Sequence, residues 1–296
     1  MPTAHTPLQR DIMLGVLARL AAVFCVACVS AGAKWMAAGG APLLQIIFCR
    51  SFFAFIPILL HIRSTVGFGA LKTQRPWRHL TRSAVGLMGM SGSFLSVAYL
   101  PLVQAVTLAF SAPLFMTILS VVLLKERVGW HRWLAVFVGF AGVVIAMRPG
   151  DMHGSPLGVF FGLMGAMGAA SAMTSIRSMP RSESGPTIVF YFTLSCSVVG
   201  LASAPFGWIT PGPQMLVVMV GTGLIGGIAQ LLLTAAARLA PLPILAPFDY
   251  TQLIWATGLG YFVWGERLDG WIIAGAAVIA ASGVYIVWRE KLVRGL

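Results

Sequence analysis

The chain has 296 residues, 58% of them hydrophobic and only 9% charged, with a formal net charge of +12. An average soluble domain carries roughly 25% charged residues, so this chain cannot coat a soluble globule, and lipid is the solvent for most of its surface. The cations sit in short gaps between apolar runs and not on a polar domain, which excludes a nucleic-acid partner and matches the loops of a multi-span membrane protein.

A bilayer core about 30 Å thick takes about 20 apolar residues as helix. Helix is required because lipid offers the backbone no hydrogen-bond partner. Ten runs qualify, in chain order 12–33, 42–60, 83–100, 105–124, 130–147, 157–176, 188–204, 215–237, 242–264 and 271–288. The first ends Ala31-Gly32-Ala33, as a signal peptide would, but is long for an h-region. With a cytoplasmic N-terminus, fifteen of the 20 Lys and Arg fall in inside gaps or, for Arg132, at the very start of the next span, and three in outside gaps; Arg19 and Arg50 lie deeper within spans. That asymmetry predicts a multi-pass protein of a bacterial-type inner membrane with both termini cytoplasmic. The longest gap, 62–82, is too short for a soluble domain.

The stretch VLLKERVGW (122–130) is echoed by FVWGERLDGW (262–271). Glu126 and Glu266 are 140 residues apart, Pro101 and Pro241 share that offset, and GVVIAMR (142–148) meets GVYIVWR (283–289) one residue later. Each half, 1–150 and 151–296, therefore holds five spans. Five is odd, so the second copy enters the membrane inverted. The expected fold is an all-α membrane protein of ten transmembrane helices, built as two inverted five-helix repeats around a central cavity that opens to either side in turn.

YLPLVQAVTLAFSAPLFMTILSVVLLKERVGWHRWLAVFVGFAGVVIAMRPG (99–150) resembles the EamA-type domain of the drug/metabolite transporter superfamily, ten-span exporter branch, and APFDYTQLIWATGLGYFVWGERLDGWIIAGAAVIAASGVYI (246–286) resembles its second copy. The resemblance implies a secondary transporter of amino acids, related metabolites or drugs, chiefly an exporter. It also implies a cavity bounded mainly by spans three, four, eight and nine, with spans one and six contributing. LKTQRPWRHLTR (71–82) is similar to the branch with S-adenosylmethionine carriers, which makes uptake of a cofactor-like metabolite such as S-adenosylmethionine or riboflavin the alternative.

Ionisable residues at depth are the first site candidates, because each is costly unless paired or hydrated. Arg50 lies about 13 Å into the second span and Asp249 about 12 Å in from the opposite face of the ninth. Arg50 holds a substrate carboxylate or stabilises the cavity, or else pairs with Asp249 or bonds helix carbonyls; Asp249 otherwise takes a substrate amine or a coupling proton. Arg19 and Lys34, nearer span ends, are expected to snorkel to the headgroups. Pro113 and Pro247 each free a helix carbonyl and are expected to kink the fourth and ninth spans beside the cavity, with Thr107, Ser111, Thr251 and Gln252 at hand for carbonyls or substrate. Tyr99, Phe110, Tyr250 and Trp255 cluster on the same segments, suited to stacking on a substrate or to plain packing. Glycines at 86, 89, 92, 158, 162, 165, 221, 223, 226 and 227 are expected where helices approach closely.

An intramembrane enzyme is the rival class. All five histidines are placed in loops or termini, and one deep Asp makes no carboxylate dyad, so neither a catalytic pair nor a metal centre is expected at depth. No GxxxxGK[ST] motif is present. The expectation is a carrier without cofactor, whose partners are a small-molecule substrate, membrane lipid and a coupling proton or ion.

Overall fold

The computed structural model describes residues 7–65, 67–73, 75–124, 129–147, 155–178, 183, 185–240, 245, 248–267 and 269–294. Eleven α-helices account for nearly all of these residues: α1 (Pro7–Ala38), α2 (Leu43–Thr65), α3 (Pro76–Tyr99), α4 (Leu102–Ala109), α5 (Ala112–Leu124), α6 (Trp130–Met147), α7 (Pro156–Ser178), α8 (Gly185–Ala202), α9 (Pro213–Leu239), α10 (Gln252–Trp264) and α11 (Gly270–Arg294). No strand occurs among the described residues. Among the described residues, six stretches are long and apolar enough to cross a membrane: Arg10–Ala38, Leu43–Thr65, Leu102–Leu119, Pro156–Ser175, Gly185–Ala202 and Pro213–Ala236. Large side chains such as Phe137, Phe160, Ile254 and Phe262 point outward, fully half or more exposed. A soluble protein does not display so many, and the surface is that of an all-helical membrane protein.

The third span begins earlier than its hydropathy suggests. Pro76 opens α3 at the first helical position, where its missing N–H is no loss. The gap between α2 and α3 is therefore ten residues and holds a single 3₁₀ turn, Phe68–Leu71. The reading of 62–82 as loop is corrected accordingly: His79 and Arg82 lie on α3 and are buried. His61 and His131 are also helical, on α2 and α6.

The most extensive pairings join one half of the chain to the other. α1 runs antiparallel to α9, with Gly15 against Ala240 at one end and Gly39 against Met215 at the other. α3 runs antiparallel to α7 in the same manner: Gly89 faces Gly168, Gly92 faces Gly165, and Gly158 faces Leu100. α2 lies between α8 and α9, and α6 packs along α11 through Gly142, Gly275 and Ala146. The expected glycine faces are thus the helix contacts, with one exception, since Gly221 faces open space.

The fourth span is broken. Pro113 offers no N–H to the Ala109 carbonyl, and helix stops at Phe110–Ser111 before α5 resumes. The Ser111 N–H donates to the Leu108 carbonyl at 3.0 Å and its hydroxyl to the same oxygen at 2.6 Å.

Candidate functional site

The break in the fourth span has a counterpart in the ninth. Phe248 and Asp249 are helical, the chain turns at Tyr250–Thr251, and α10 follows. The Thr251 N–H donates to the Phe248 carbonyl at 3.1 Å and its hydroxyl to the same oxygen at 2.6 Å. Ser111 and Thr251 are 140 residues apart, as are Phe110 and Tyr250. The two aromatic rings meet edge to face, with centroids 5.0 Å apart. Two equivalent turns, each capped by its own hydroxyl, are therefore brought together through the side chains at their apices. Pro113 has Leu253 at the matching position, so proline is not what the two turns share. The common device is the hydroxyl two residues before it, which covers the carbonyl that the interruption frees.

Tyr250 also reaches α11, where its hydroxyl fills the space beside Gly283. Gln252 begins α10 just past the turn and is half-buried. Pro247 lies outside the described residues. Tyr99 and Trp255 are not part of this crossing. Tyr99 is largely exposed near the end of α3 and stacks loosely on Phe161 at 6.0 Å. Trp255 meets Phe24 of α1 at 4.9 Å.

Two ion pairs flank the crossing along α1. Arg19 donates from Nε and Nη2 to the two carboxylate oxygens of Asp249, at 2.5 and 2.6 Å. This forked geometry is the strong form of an Arg–carboxylate contact. It corrects two expectations. Arg19 does not snorkel, and Asp249 pairs with Arg19 and not with Arg50. Fifteen residues on, about 22 Å along the helix, Lys34 is bound by Glu266 and donates to the Leu100 carbonyl at 2.9 Å. The other Glu266 oxygen accepts the Leu102 N–H at 2.8 Å, at the start of α4. Lys34 also stands over the Trp264 ring at 5.3 Å, so Lys34 is not a snorkelling residue and Trp264 is part of a bonded cluster. Glu266 thus ties α1, α4 and the α10–α11 turn together. Its repeat counterpart, Glu126, lies outside the described residues.

Near the opposite end, His79 of α3 bonds Glu183 through Nε2 at 2.9 Å, and Thr73 donates to the other Glu183 oxygen at 3.0 Å. Burial pushes the Glu183 carboxyl up, but the bonds from His79 and Thr73 and the charges of His79 and Arg75 outweigh it and hold the group below the ordinary 4.5.

Arg50 is 7% exposed and lies against Gly226 of α9. No carboxylate among the described residues pairs with it. Arg82, which sequence reasoning left in a loop, is buried with it. A signal was present: His79, Arg82, Ser83 and Gly86 recur at helical spacing after Pro76 and share one face of α3.

This arrangement, a helical membrane bundle whose fourth and ninth spans break at the centre and whose charges are bonded between halves, is that of a multi-pass carrier. The chain belongs to the EamA-like transporter family, which matches it twice, over residues 13–148 and 156–289. Among its relatives it is 30% identical to the S-adenosylmethionine uptake transporter of Rickettsia bellii, over 83% of this chain and 84% of that one. It is 28% identical to the riboflavin transporter of Vibrio cholerae, over 98% and 97%, and 26% identical to the pseudopaline exporter of Pseudomonas aeruginosa, over 94% and 97%. A solved crystal structure shares its fold with a TM-score of 0.64 at 18% identity, covering 97% of this chain and 98% of the other. The protein is a membrane transporter and not an enzyme.

Proposed function

We propose that the chain is an inner-membrane secondary carrier that moves small amino-acid-bearing metabolites by alternating access, with both termini cytoplasmic. The observation that carries this reading is the pair of matched turns at Ser111 and Thr251, which meet through Phe110 and Tyr250. Broken helices at the centre of an inverted repeat are where carriers hold substrate. The exchanged pairings, α1 on α9 and α3 on α7, support an inverted relation between residues 1–150 and 151–296. In this reading Phe110, Tyr250, Ser111, Pro113 and Gln252 line the substrate path, Lys34–Glu266 holds one end shut, and Arg19–Asp249 acts toward the other. Asp249 takes part by exchanging Arg19 for a substrate amine or a proton.

Export of amino acids and related compounds is the direction the family resemblance implies. Uptake of a cofactor-like metabolite is the second reading, favoured by the relatives named for S-adenosylmethionine uptake and riboflavin transport. Counterflow in proteoliposomes of purified protein, with labelled S-adenosylmethionine, riboflavin and methionine in turn, tests both. Saturable exchange of S-adenosylmethionine or methionine is expected. Exchange of riboflavin alone would remove the amino-acid group from the reading, and covalent turnover or ohmic current without exchange would sink the carrier. Right-side-out vesicles loaded or bathed with the exchanged compound then give the direction.

A further inference from the structure

The part-buried cations Arg19 and Lys34 each have an anionic partner, Asp249 and Glu266, and the buried His79 bonds Glu183. Arg50 and Arg82 have no carboxylate partner among the described residues. They are 7% and 8% exposed, and Nε and Nη1 of each are buried without a hydrogen-bond acceptor. They come from different helices to one place. Arg50 leaves α2 against Gly226 of α9, where any side chain would press on the guanidinium. Arg82 leaves α3 toward Gly86, one turn deeper, and lies over the Phe192 ring of α8 at 4.2 Å. The two guanidiniums stand within electrostatic reach of each other and of the Cys196 thiol, also on α8.

Two like charges in a buried setting repel, and burial keeps each from bulk solvent. Four buried N–H donor atoms without acceptors do not improve packing, since an apolar pair of the same volume would be cheaper. The arrangement makes sense when one ligand supplies several acceptor oxygens and negative charge at once. A carboxylate or phosphate does so, and it is the group that arginine forks match geometrically. A halide lacks the paired oxygens that match a guanidinium fork, and a neutral carbonyl lacks the charge.

We propose that Arg50 and Arg82 together form an oxoanion site that takes the carboxylate or phosphate of the transported molecule. Phe192 holds the Arg82 plane from below, and Gly226 keeps clear the approach to Arg50. This rests on the carrier reading and narrows it: the substrate is anionic at one end, and its anionic end lies among α2, α3, α8 and α9, away from Asp249. For a molecule with an amino-acid group, the two arginines take the carboxylate and leave the amine for the acidic side.

The test is ligand binding to the full-length purified protein, read by thermal shift and by equilibrium titration. The probes are S-adenosylmethionine against its decarboxylated counterpart, and riboflavin 5′-phosphate against riboflavin. The parent is expected to prefer the carboxylated or phosphorylated member of a pair by about tenfold or more, the loss typical of an unmatched buried charge. Arg50→Gln and Arg82→Gln are expected to lose the preference and to bind the two members of each pair about equally. Arg82→Lys, which keeps charge but not the fork, is expected to recover part of it. Monodispersity and unliganded melting temperature separate misfolding from loss of the site. Equal preference in parent and Gln variants would overturn the site, yet leave the carrier standing if counterflow persists. If native mass spectrometry shows an acidic phospholipid retained by the parent and lost from both Gln variants, the site belongs to lipid and the substrate assignment falls. Absence of counterflow for every probe would instead defeat the carrier reading.

Discussion

A carboxylate bound by both arms of a guanidinium behaves differently from one waiting for substrate. Asp249 is held in this way by Arg19, and its own side chain remains about a third exposed. Asp249→Asn therefore removes the charge that Arg19 needs, and the cost falls on Arg19 as an unpaired charge among apolar neighbours. Transport is expected to fall at least tenfold in Asp249→Asn and in Arg19→Gln. The double exchange Arg19→Asp with Asp249→Arg decides between roles. Recovery of transport would make the pair a latch whose polarity is immaterial; recovery of folding without transport would give Asp249 a direct part with substrate or proton. Glu183 offers a contrast at the bundle end. Its folded-state pKa is lowered, so its bonds to His79 and Thr73 add stability above the ordinary 4.5 and lose it as pH falls through the lowered value. The melting temperature of Glu183→Gln should lie below the parent's at pH 7 and converge on it as the pH drops below about 4.5. A constant gap across that range would assign the contact to shape and not to charge.

Among the helices, small residues set the distance of approach. A Cβ on Gly92 would stand 2.5 Å from the Gly165 nitrogen and 2.7 Å from the Phe161 carbonyl oxygen, both backbone atoms that cannot yield by a rotamer change. Gly92→Ala is expected to destabilise by about 1–3 kcal/mol through forced separation of α3 and α7. Gly221→Ala, on α9 with nothing near the added atom, is expected to be neutral or slightly stabilising, because alanine is the better helix former. Thermal unfolding in one detergent ranks the two, and equal losses would refute the contact reading. These helices were largely legible in the sequence. Apolar length marked the spans, and glycine spacing marked the crowded faces. The early start of α3 was not, because Arg78, His79 and Arg82 depress hydropathy where the helix has already begun, and only Pro76 records its start. The hydroxyl-capped turns were half visible. Pro113 and Pro247 pointed to interruptions in both spans, with Ser111 and Thr251 at hand for the freed carbonyls, but the equivalence of the two turns shows only once 111 and 251 are compared across the 140-residue offset. The partners of Arg19 and Lys34 were invisible for a simpler reason: Asp249 and Glu266 lie 230 and 232 residues away, and no local pattern carries such a contact.

At the scale of the molecule, the question is what holds one end closed. Glu266 gathers three independent elements with two oxygens: Lys34 from α1, the first N–H of α4, and its own position after α10. Gly260 one turn back leaves room for the carboxylate, since a Cβ there would meet Glu266 Oε2 at 2.6 Å. The helix N-terminus favours a negative partner at Leu102, and Lys34 needs one because it is mostly buried. Glu266→Gln keeps the size of the side chain and removes the charge from both contacts. Each charge-assisted bond contributes roughly 1.5–3 kcal/mol, so losing about half of each shifts a two-state equilibrium toward the open form by roughly ten- to a hundredfold. A single cysteine at Ala105, buried on α4 three residues past Leu102, reports this in a background where Cys25, Cys28, Cys49 and Cys196 are replaced by serine. An impermeant maleimide applied to the outer face of sealed vesicles is expected to label it several-fold faster in Glu266→Gln than in the parent, and a substrate that favours the inward-facing form is expected to slow it again. If the rate does not change while the protein stays folded, Glu266 is a fixed strut of α4 and the closure lies elsewhere. If the label enters only from the inner face, the charge count that puts both termini in the cytoplasm is wrong, and the two halves exchange their sides of the membrane.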